Sequence, residues 1–431
     1  MTESTFFGEG KPIAGEIAVP GDKSISHRAV IFGSIASGTT TIDGFLRGND
    51  CLSTLACMRA LGVGIDDSGD RITVHGHGFD GLKEPSSVLD VGNSGTTIRL
   101  LSGLLSARPF YTVLAGDASI HKRPMGRVID PLTMMGGKLW ARRGNRFAPI
   151  SIKGRPLHAI RYTLPVASAQ VKSALLLAGL QTEGVTVLTE PGPSRDHTER
   201  MIQAFGGDIR TEGFMHRIAG PQTLAGIHVR VPGDFSSAAF FIAAALLTPG
   251  SHLVLRSVGV NPTRIGMVDI LRKMGGNIHF SNERDWNGEP VADIEVEYGT
   301  LRAAEIGGPA IPRLIDELPV MALIATEAEG TTVIKDAAEL KVKETNRIQT
   351  TVEQLRKIGA DIEETDDGMI VRGHPGRRFT GGTVDSAGDH RIGMMLAIAA
   401  QKSDNPVSVC NAEAMAVSFP SFRDRLAALK K

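Results

Sequence analysis

Apolar and polar positions along this chain fall into two patterns that keep returning. The first is a helical run that ends at a glycine and leads into two alternating strands: CMRALGVGIDDSGDRITVHG, LTMMGGKLWARRGNRFAPISIKG, IQAFGGDIRTEGFMHRIAG, LRKMGGNIHFSNERDWNGEPVADIEVEYG and LRKIGADIEETDDGMIVRG. Alternation at period two reads as strand, and a glycine just past a periodic run reads as a helix C-cap. The expected caps are Gly62, Gly136, Gly206, Gly275 and Gly359. The second pattern is a polar cluster, a helix of small apolar residues, then a strand. It starts at Asp22, Gly92, Ser168, Asp234, Asp316 and Gly388. These helices are apolar nearly all round, which predicts burial. One pattern of each kind makes an α/β unit, and six such starts imply a repeat architecture.

The sixth unit, from Gly388 onward, is short by a strand. The N-terminal segment KPIAGEIAVP is expected to supply it. Residues 1–19 then join 233–431 as one domain (repeats 4–6), and residues 20–232 form the other (repeats 1–3). The chain would cross near Pro20 and again at Val231–Asp234, with the active site in the cleft between the domains. A length of 431 residues also exceeds one ordinary core. The expected fold class is α/β: two domains, each of three repeats built around buried helices.

The unusual polar residues lie where the buried helices begin. PGDKSISHRAV puts Lys23, Ser24, Ser26, His27 and Arg28 at the first; Asn93, Thr96 and Arg99 open the second; Ser168, Gln170 and Lys172 the third. Asp316 and Glu317 open the fifth, Asp389 and Arg391 the sixth. Helix N-termini carry unpaired N–H groups and about half a positive charge, so they bind anions. Any single cluster, taken alone, reads first as an N-cap beside a solvated charge. Recurrence at equivalent places favours a small, multiply anionic ligand. Three further segments carry charge: GDASIHKRPMG with His121, Lys122 and Arg123; LKVKETNR, with Lys343, Glu344 and Arg347 expected within one helical turn; and PSRDHTER, with Ser194, Arg195 and His197. His197 alone reads as structural.

Composition narrows the ligand class. Lys+Arg and Asp+Glu balance at 47 each, which argues against nucleic acid or an acidic membrane as partner. The cysteines, Cys51, Cys57 and Cys410, form no CxxC pair, so neither a disulfide framework nor a cysteine zinc site is expected. His75 and His77 lack carboxylates at a metal spacing, and no metal site is expected. There is no GxxxxGK[ST] loop, and GHGFDG is not followed by a helical pattern. The longest apolar run, AAFFIAAALL, is too short to span a bilayer. The N-terminus shows no apolar leader, so a cytoplasmic protein is expected.

PGDKSISHRA, GNSGTTIRL, KRPM, SAQVKSALLLAGL, KVKETNR and DHRIGMMLAIAA, in this order from about Pro20 to Pro420, resemble 5-enolpyruvylshikimate-3-phosphate (EPSP) synthase. The resemblance implies two domains, each of three βαβαββ units. It implies transfer of the enolpyruvyl group of phosphoenolpyruvate (PEP) to the 5-hydroxyl of shikimate 3-phosphate, with loss of phosphate, in the shikimate pathway that makes chorismate and the aromatic amino acids. No cofactor is implied, and a monomer is expected. By the same resemblance Lys23, Asp316 and Glu344 are the catalytic set. Lys23, Ser24, Arg28, Ser168, Ala169, Gln170, Ser194, Arg195, Asp316 and Lys343 bind shikimate 3-phosphate. Lys23, Asn93, Gly95, Thr96, Arg123, Gln170, Arg347 and Arg391 bind PEP.

The pattern also departs from some relatives. Leu100 stands where they have proline, which is similar to the second bacterial class. Val417 stands where they carry a PEP-binding lysine, and a tyrosine is missing near His197. The family's herbicide, glyphosate, occupies the PEP site, and Gly95 is expected to act as the size filter that admits it. Two rival readings are a UDP-N-acetylglucosamine enolpyruvyl transferase, which would need a cysteine where Ala118 stands, and a non-catalytic phosphosugar-binding module, which would not need both Asp316 and Glu344.

Overall fold

The computed structural model describes residues 3–8 and 10–430. The chain divides into two compact units. The central unit is Gly21–Val231 with Asp285–Glu289; the terminal unit is the N-terminal segment through Pro20, Pro232–Arg284 and the chain from Pro290. Each has its own apolar core.

Six buried helices head the second pattern. In the central unit they are α1 (Lys23–Ile35), α2 (Gly95–Ser106) and α3 (Ala169–Gly179). In the terminal unit they are α4 (Phe235–Leu247), α5 (Leu318–Ala325) and α6 (His390–Ala399). Every residue of α4, α5 and α6 is buried, as an all-round apolar helix requires. Close helix approach needs small residues. A Cβ on Gly103 of α2 would overlap the Ala174 carbonyl of α3. The helices of the first pattern, Asn49–Ala60, Gly126–Met134, His197–Ala204, Gly266–Lys273 and Arg347–Lys357, pack outside. All five glycines expected to cap them have φ between 84° and 98°, the left-handed region that glycine enters without penalty.

The strands form six sheets with one recurring order. A short leading strand runs parallel to the strand after the buried helix, which pairs antiparallel with the second strand of a hairpin, whose first strand forms the edge. In the second repeat, Leu89–Asp90 runs parallel to Tyr111–Ala115, which pairs with Phe147–Lys153 and through it with Lys138–Ala141. The third repeat repeats this with Arg161–Thr163, Gly184–Thr189 and the hairpin to Gly220.

The N-terminus behaves differently from expectation. KPIAGEIAVP does not complete the sixth sheet. Its strand Ala14–Ile17 runs parallel to His252–Gly259 in the fourth. The sixth sheet is completed by Glu3–Phe6, antiparallel to Val407–Cys410. The reason lies in the leading strands. His228–Arg230, which precedes α4 in sequence, pairs with Ser37–Asp43 after α1. Ala14–Ile17, which precedes α1, takes the equivalent place after α4. Each leading strand thus serves the other unit's first helix, and the sixth sheet must take the strand before it. Among the described residues no helix is long and apolar enough to cross a membrane.

Candidate active site

In the central unit, side-chain hydrogen bonds tie the first turns of the buried helices together. Asp22 caps α1 by accepting from Ile25 N at 2.9 Å, and Ser94 caps α2 by accepting from Thr97 N at 3.0 Å. Such caps leave the remaining end amides facing outward. Lys23 Nζ donates to Asp50 at 2.9 Å. Arg28 donates through Nη1 to the Ser24 carbonyl (3.0 Å), through Nη2 to Ser173 Oγ (2.7 Å) and through Nε to Thr198 Oγ1 (2.6 Å). Burial, helped by the neighbouring Arg195 cation, lowers the Arg28 pKa to about 10 against the pull of Glu199 and Asp22. Two cations held this close favour an anion between them.

Gln170, at the start of α3, donates to Thr96 Oγ1 at 3.0 Å and accepts from Arg99. Arg123 donates to Asn93 Oδ1 at 2.8 Å and to Ser119 Oγ at 3.2 Å. Ser168 stands at the N-cap of α3, yet its hydroxyl does not cap the helix, and no acidic residue lies in the first turn. That leaves a helix N-terminus suited to a phosphate. Gly95 is the first residue of α2. A Cβ there would lie 2.9 Å from Arg123 Nη1 and 3.1 Å from Arg99 Nη1. Two guanidinium groups therefore rest against Gly95. Both are the ends of flexible chains and can yield. If Gly95 and Arg123 line the PEP site as the resemblance implies, Gly95→Ala should fold normally, raise KM for PEP severalfold by displacing Arg123, and raise the glyphosate inhibition constant at least tenfold more. Equal losses for the two ligands would rule out Gly95 as a size filter.

Behind this surface runs a buried chain from His27 Nδ1 to Thr54 Oγ1 (2.6 Å), on to Thr97 Oγ1 (2.6 Å) and Ser94 Oγ (2.6 Å). Burial pushes the His27 pKa down to about 3. The folded protein refuses a proton that the unfolded chain accepts below pH 6.5, so this contribution to stability is complete above 6.5 and is lost as pH falls towards 3. At pH 5 the loss is about 2 kcal/mol. Urea unfolding at pH 7.5 and 5 should show that much more acid sensitivity in the wild type than in His27→Asn. Equal sensitivity would refute the assignment.

In the terminal unit one cation gathers three carboxylates. Arg347, with 1% of its side chain exposed, reaches Asp389 Oδ2 (2.7 Å), Asp316 Oδ1 (3.0 Å) and Glu344 Oε2 (2.6 Å). The carboxylates hold it firmly protonated despite burial. Counting a longer bond to Asp389 Oδ1, four of the five N–H donors of the guanidinium are engaged. Arg391 lies 3.6 Å from Asp316 Oδ2 and 3.7 Å from Glu317 Oε1, and Lys343 lies 3.9 Å from Asp316 Oδ1. Burial lowers the Lys343 pKa; Asp316 opposes this and Arg347 adds to it. A lysine so lowered is suited to moving a proton beside Asp316.

LKVKETNR is not one helical turn. Ala338–Val342 is a 3-10 segment and Lys343 is extended. The helix begins only at Arg347, because Asn346 caps it by accepting from Gln349 N at 3.3 Å. The Glu344–Arg347 pair forms, but as part of a buried cluster and not as a surface salt bridge.

Several working residues escaped the sequence reading. Asp50, which holds Lys23, looks like an ordinary helix-start acid; Asp389 was visible at the start of α6, but its pairing with Arg347 was not. Arg99 and Lys172 were visible at helix starts, but their partners Gln170, Glu190 and Glu199 lie in other segments. His197 is buried and bonded to Glu289 at 2.7 Å, a structural place. Leu100 is fully buried in the core, while Val417 ends a 3-10 segment.

Two units of three α/β repeats, with cations and hydroxyls at the buried helix starts of one and a carboxylate–cation cluster in the other, define the class of scaffold. The chain belongs to the EPSP synthase (3-phosphoshikimate 1-carboxyvinyltransferase) family, whose model matches residues 8–426. It is 58% identical to the 3-phosphoshikimate 1-carboxyvinyltransferase of Geobacillus kaustophilus over 410 residues, covering 95% of this chain and 96% of that one. It is 56% identical to the enzyme of that name from Bacillus subtilis over 417 residues, covering 97% of each. An EPSP synthase structure from Acinetobacter baumannii superimposes with a TM-score of 0.90 at 44% identity, over 100% of this chain and 98% of that one.

Proposed function

We propose that this enzyme transfers the enolpyruvyl group of PEP to the 5-hydroxyl of shikimate 3-phosphate and releases phosphate. The observation that carries the reading is that one chain holds two different clusters, one in each unit. The central unit supplies cations and an uncapped helix start, which a doubly anionic sugar phosphate needs. The terminal unit supplies two carboxylates, Asp316 and Glu344, held by shared cations, which proton transfer needs. Pure binding would require only the first.

Shikimate 3-phosphate rests on Lys23, Ser24, Arg28, Ser168, Ala169, Gln170, Ser194 and Arg195, with Asp316 and Lys343 at its 5-hydroxyl. PEP rests on Lys23, Asn93, Gly95, Thr96, Arg123, Gln170, Arg347 and Arg391. As the 5-oxygen bonds to C2 of PEP, Asp316 takes the hydroxyl proton and Glu344 delivers one to C3. The tetrahedral intermediate then loses phosphate, which leaves with a proton donated by Lys23; the C3 proton returns to Glu344, and the proton held by Asp316 replaces the one Lys23 gave up, so all three groups are restored. A carboxylate is a weak base toward an alcohol, so Asp316 acts as bond formation proceeds. The chemistry uses only side chains and requires no metal or organic cofactor. We read the protein as a cytoplasmic monomer of the second bacterial class, on Leu100 and on six sheets completed within one chain.

The test is phosphate release from PEP, expected only when shikimate 3-phosphate is present. Release with UDP-N-acetylglucosamine instead would favour the sister activity, and no release with either would favour a binding module. Iodoacetamide separates the first two readings independently. Cys51 and Cys57 are buried, and burial pushes the Cys57 thiol up to about 12, far from the reactive thiolate. Activity should survive alkylation; loss prevented by PEP would contradict the reading.

A further inference from the structure

Lys172 has no role in the reaction just described, yet it is 1% exposed and sits two residues after Gln170 on α3. Its ammonium lies 2.7 Å from Glu190 Oε2 and 2.7 Å from Glu199 Oε1. His216 Nε2 lies 3.1 Å from Glu190 Oε2, and His216 Nδ1 lies 3.5 Å from Glu199 Oε1. The glutamates and His216 have ligand atoms within 4.8 Å of one another, as a metal site would. The Lys172 ammonium already supplies the positive charge there. Burial alone would lower its pKa, but Glu199 and Glu190 raise it above the ordinary value.

The two glutamates bracket one loop. Glu190 follows the strand Gly184–Thr189, and Glu199 lies in the first turn of the helix His197–Ala204. Between them runs EPGPSRD, residues 190–196, which carries Ser194 and Arg195. The Ser194 hydroxyl is buried beside Glu190 without a well-formed hydrogen bond. The next residue of α3, Ser173, shares Arg28 with Thr198 of the same helical turn. One cation on α3 therefore ties down both ends of the loop, and α3 itself begins at Ser168, Ala169 and Gln170.

We propose that Lys172 is a positioning residue for the phosphate of shikimate 3-phosphate: by binding Glu190 and Glu199 together it fixes Ser194 and Arg195 at the distance from the α3 N-terminus that a phosphate bridges. The proposal rests on the reaction assigned above. A charge pair kept only for stability would loosen everything equally. A positioning clamp changes the affinity of one substrate, because misplacing a binding group by an ångström costs that group's contribution and little else.

Two variants test this. Lys172→Met removes the clamp but leaves two buried carboxylates facing each other, and so risks unfolding. Glu199→Gln keeps the Lys172–Glu190 pair and only weakens the link to the helix, so folding is safe. KM for shikimate 3-phosphate should rise at least tenfold in Lys172→Met and about threefold to tenfold in Glu199→Gln, with KM for PEP and kcat within threefold of wild type. Circular dichroism qualifies each variant as folded; if Lys172→Met fails, Glu199→Gln decides. A shikimate 3-phosphate KM within twofold of wild type in the folded variants, or parallel rises for both substrates, overturns the proposal. A wild-type protein that does not turn over shikimate 3-phosphate would instead sink the functional reading itself.

Discussion

Asp316→Asn is expected to lower turnover by about 10² or more while leaving the affinity for both substrates within roughly tenfold. The asymmetry follows from the geometry. Asp316 touches Arg347, Lys343 and Arg391, and the two arginines each have another carboxylate. Arg347 keeps Asp389 and Glu344, so the cluster stays folded when one carboxylate becomes an amide. The loss is that of a group able to take the hydroxyl proton. Steady-state kinetics with each substrate varied in turn measure it. Retained turnover with collapsed affinity would show that Asp316 orients substrate without accepting its proton.

The largest structural effect is expected from Arg347→Met. The side chain is nearly isosteric along its stem and removes a single charge, but three carboxylates lose the cation they share. Asp389 is fully buried and also caps α6 by accepting from Arg391 N at 2.9 Å. Breaking a buried pair by removing one partner costs about 3–5 kcal/mol, because the remaining charge has nowhere to go. The thermal midpoint should fall by on the order of 10 °C, and turnover should vanish. Adding Asp389→Asn to Arg347→Met should recover a good part of the midpoint and none of the activity. A single variant that melts within 2 °C of wild type would show that the cluster contributes no net stability. The prediction separates two duties of one residue, since Arg347 is also proposed to bind PEP.

The repeats were legible because their signals are local. A glycine after each outer helix, small apolar residues in each inner helix and alternation in each hairpin need only neighbours in sequence to be read. The helix-start clusters were legible for the same reason: Lys23, Asn93, Gln170, Asp316 and Arg391 mark themselves by standing at equivalent points of a repeat. Partnership was less legible. Nothing near Lys172 in sequence announces that Glu190 and Glu199 will close on it. Nothing near Arg347 announces Asp389, because a buried charge gives no pattern until its counter-charge arrives from another repeat.

By itself, then, the sequence determined the number and order of the α/β units, the burial of six helices and the residues that open them, all consequences of short-range periodicity and capping. Only the tertiary structure decided which strand joins which sheet and which charge meets which. The N-terminal strand shows the reason. Ala14–Ile17 and Glu3–Phe6 are both short and weakly patterned, so neither carries its destination in its own side chains. The vacant edge each fills is set by where His228–Arg230 and the other leading strands have already paired.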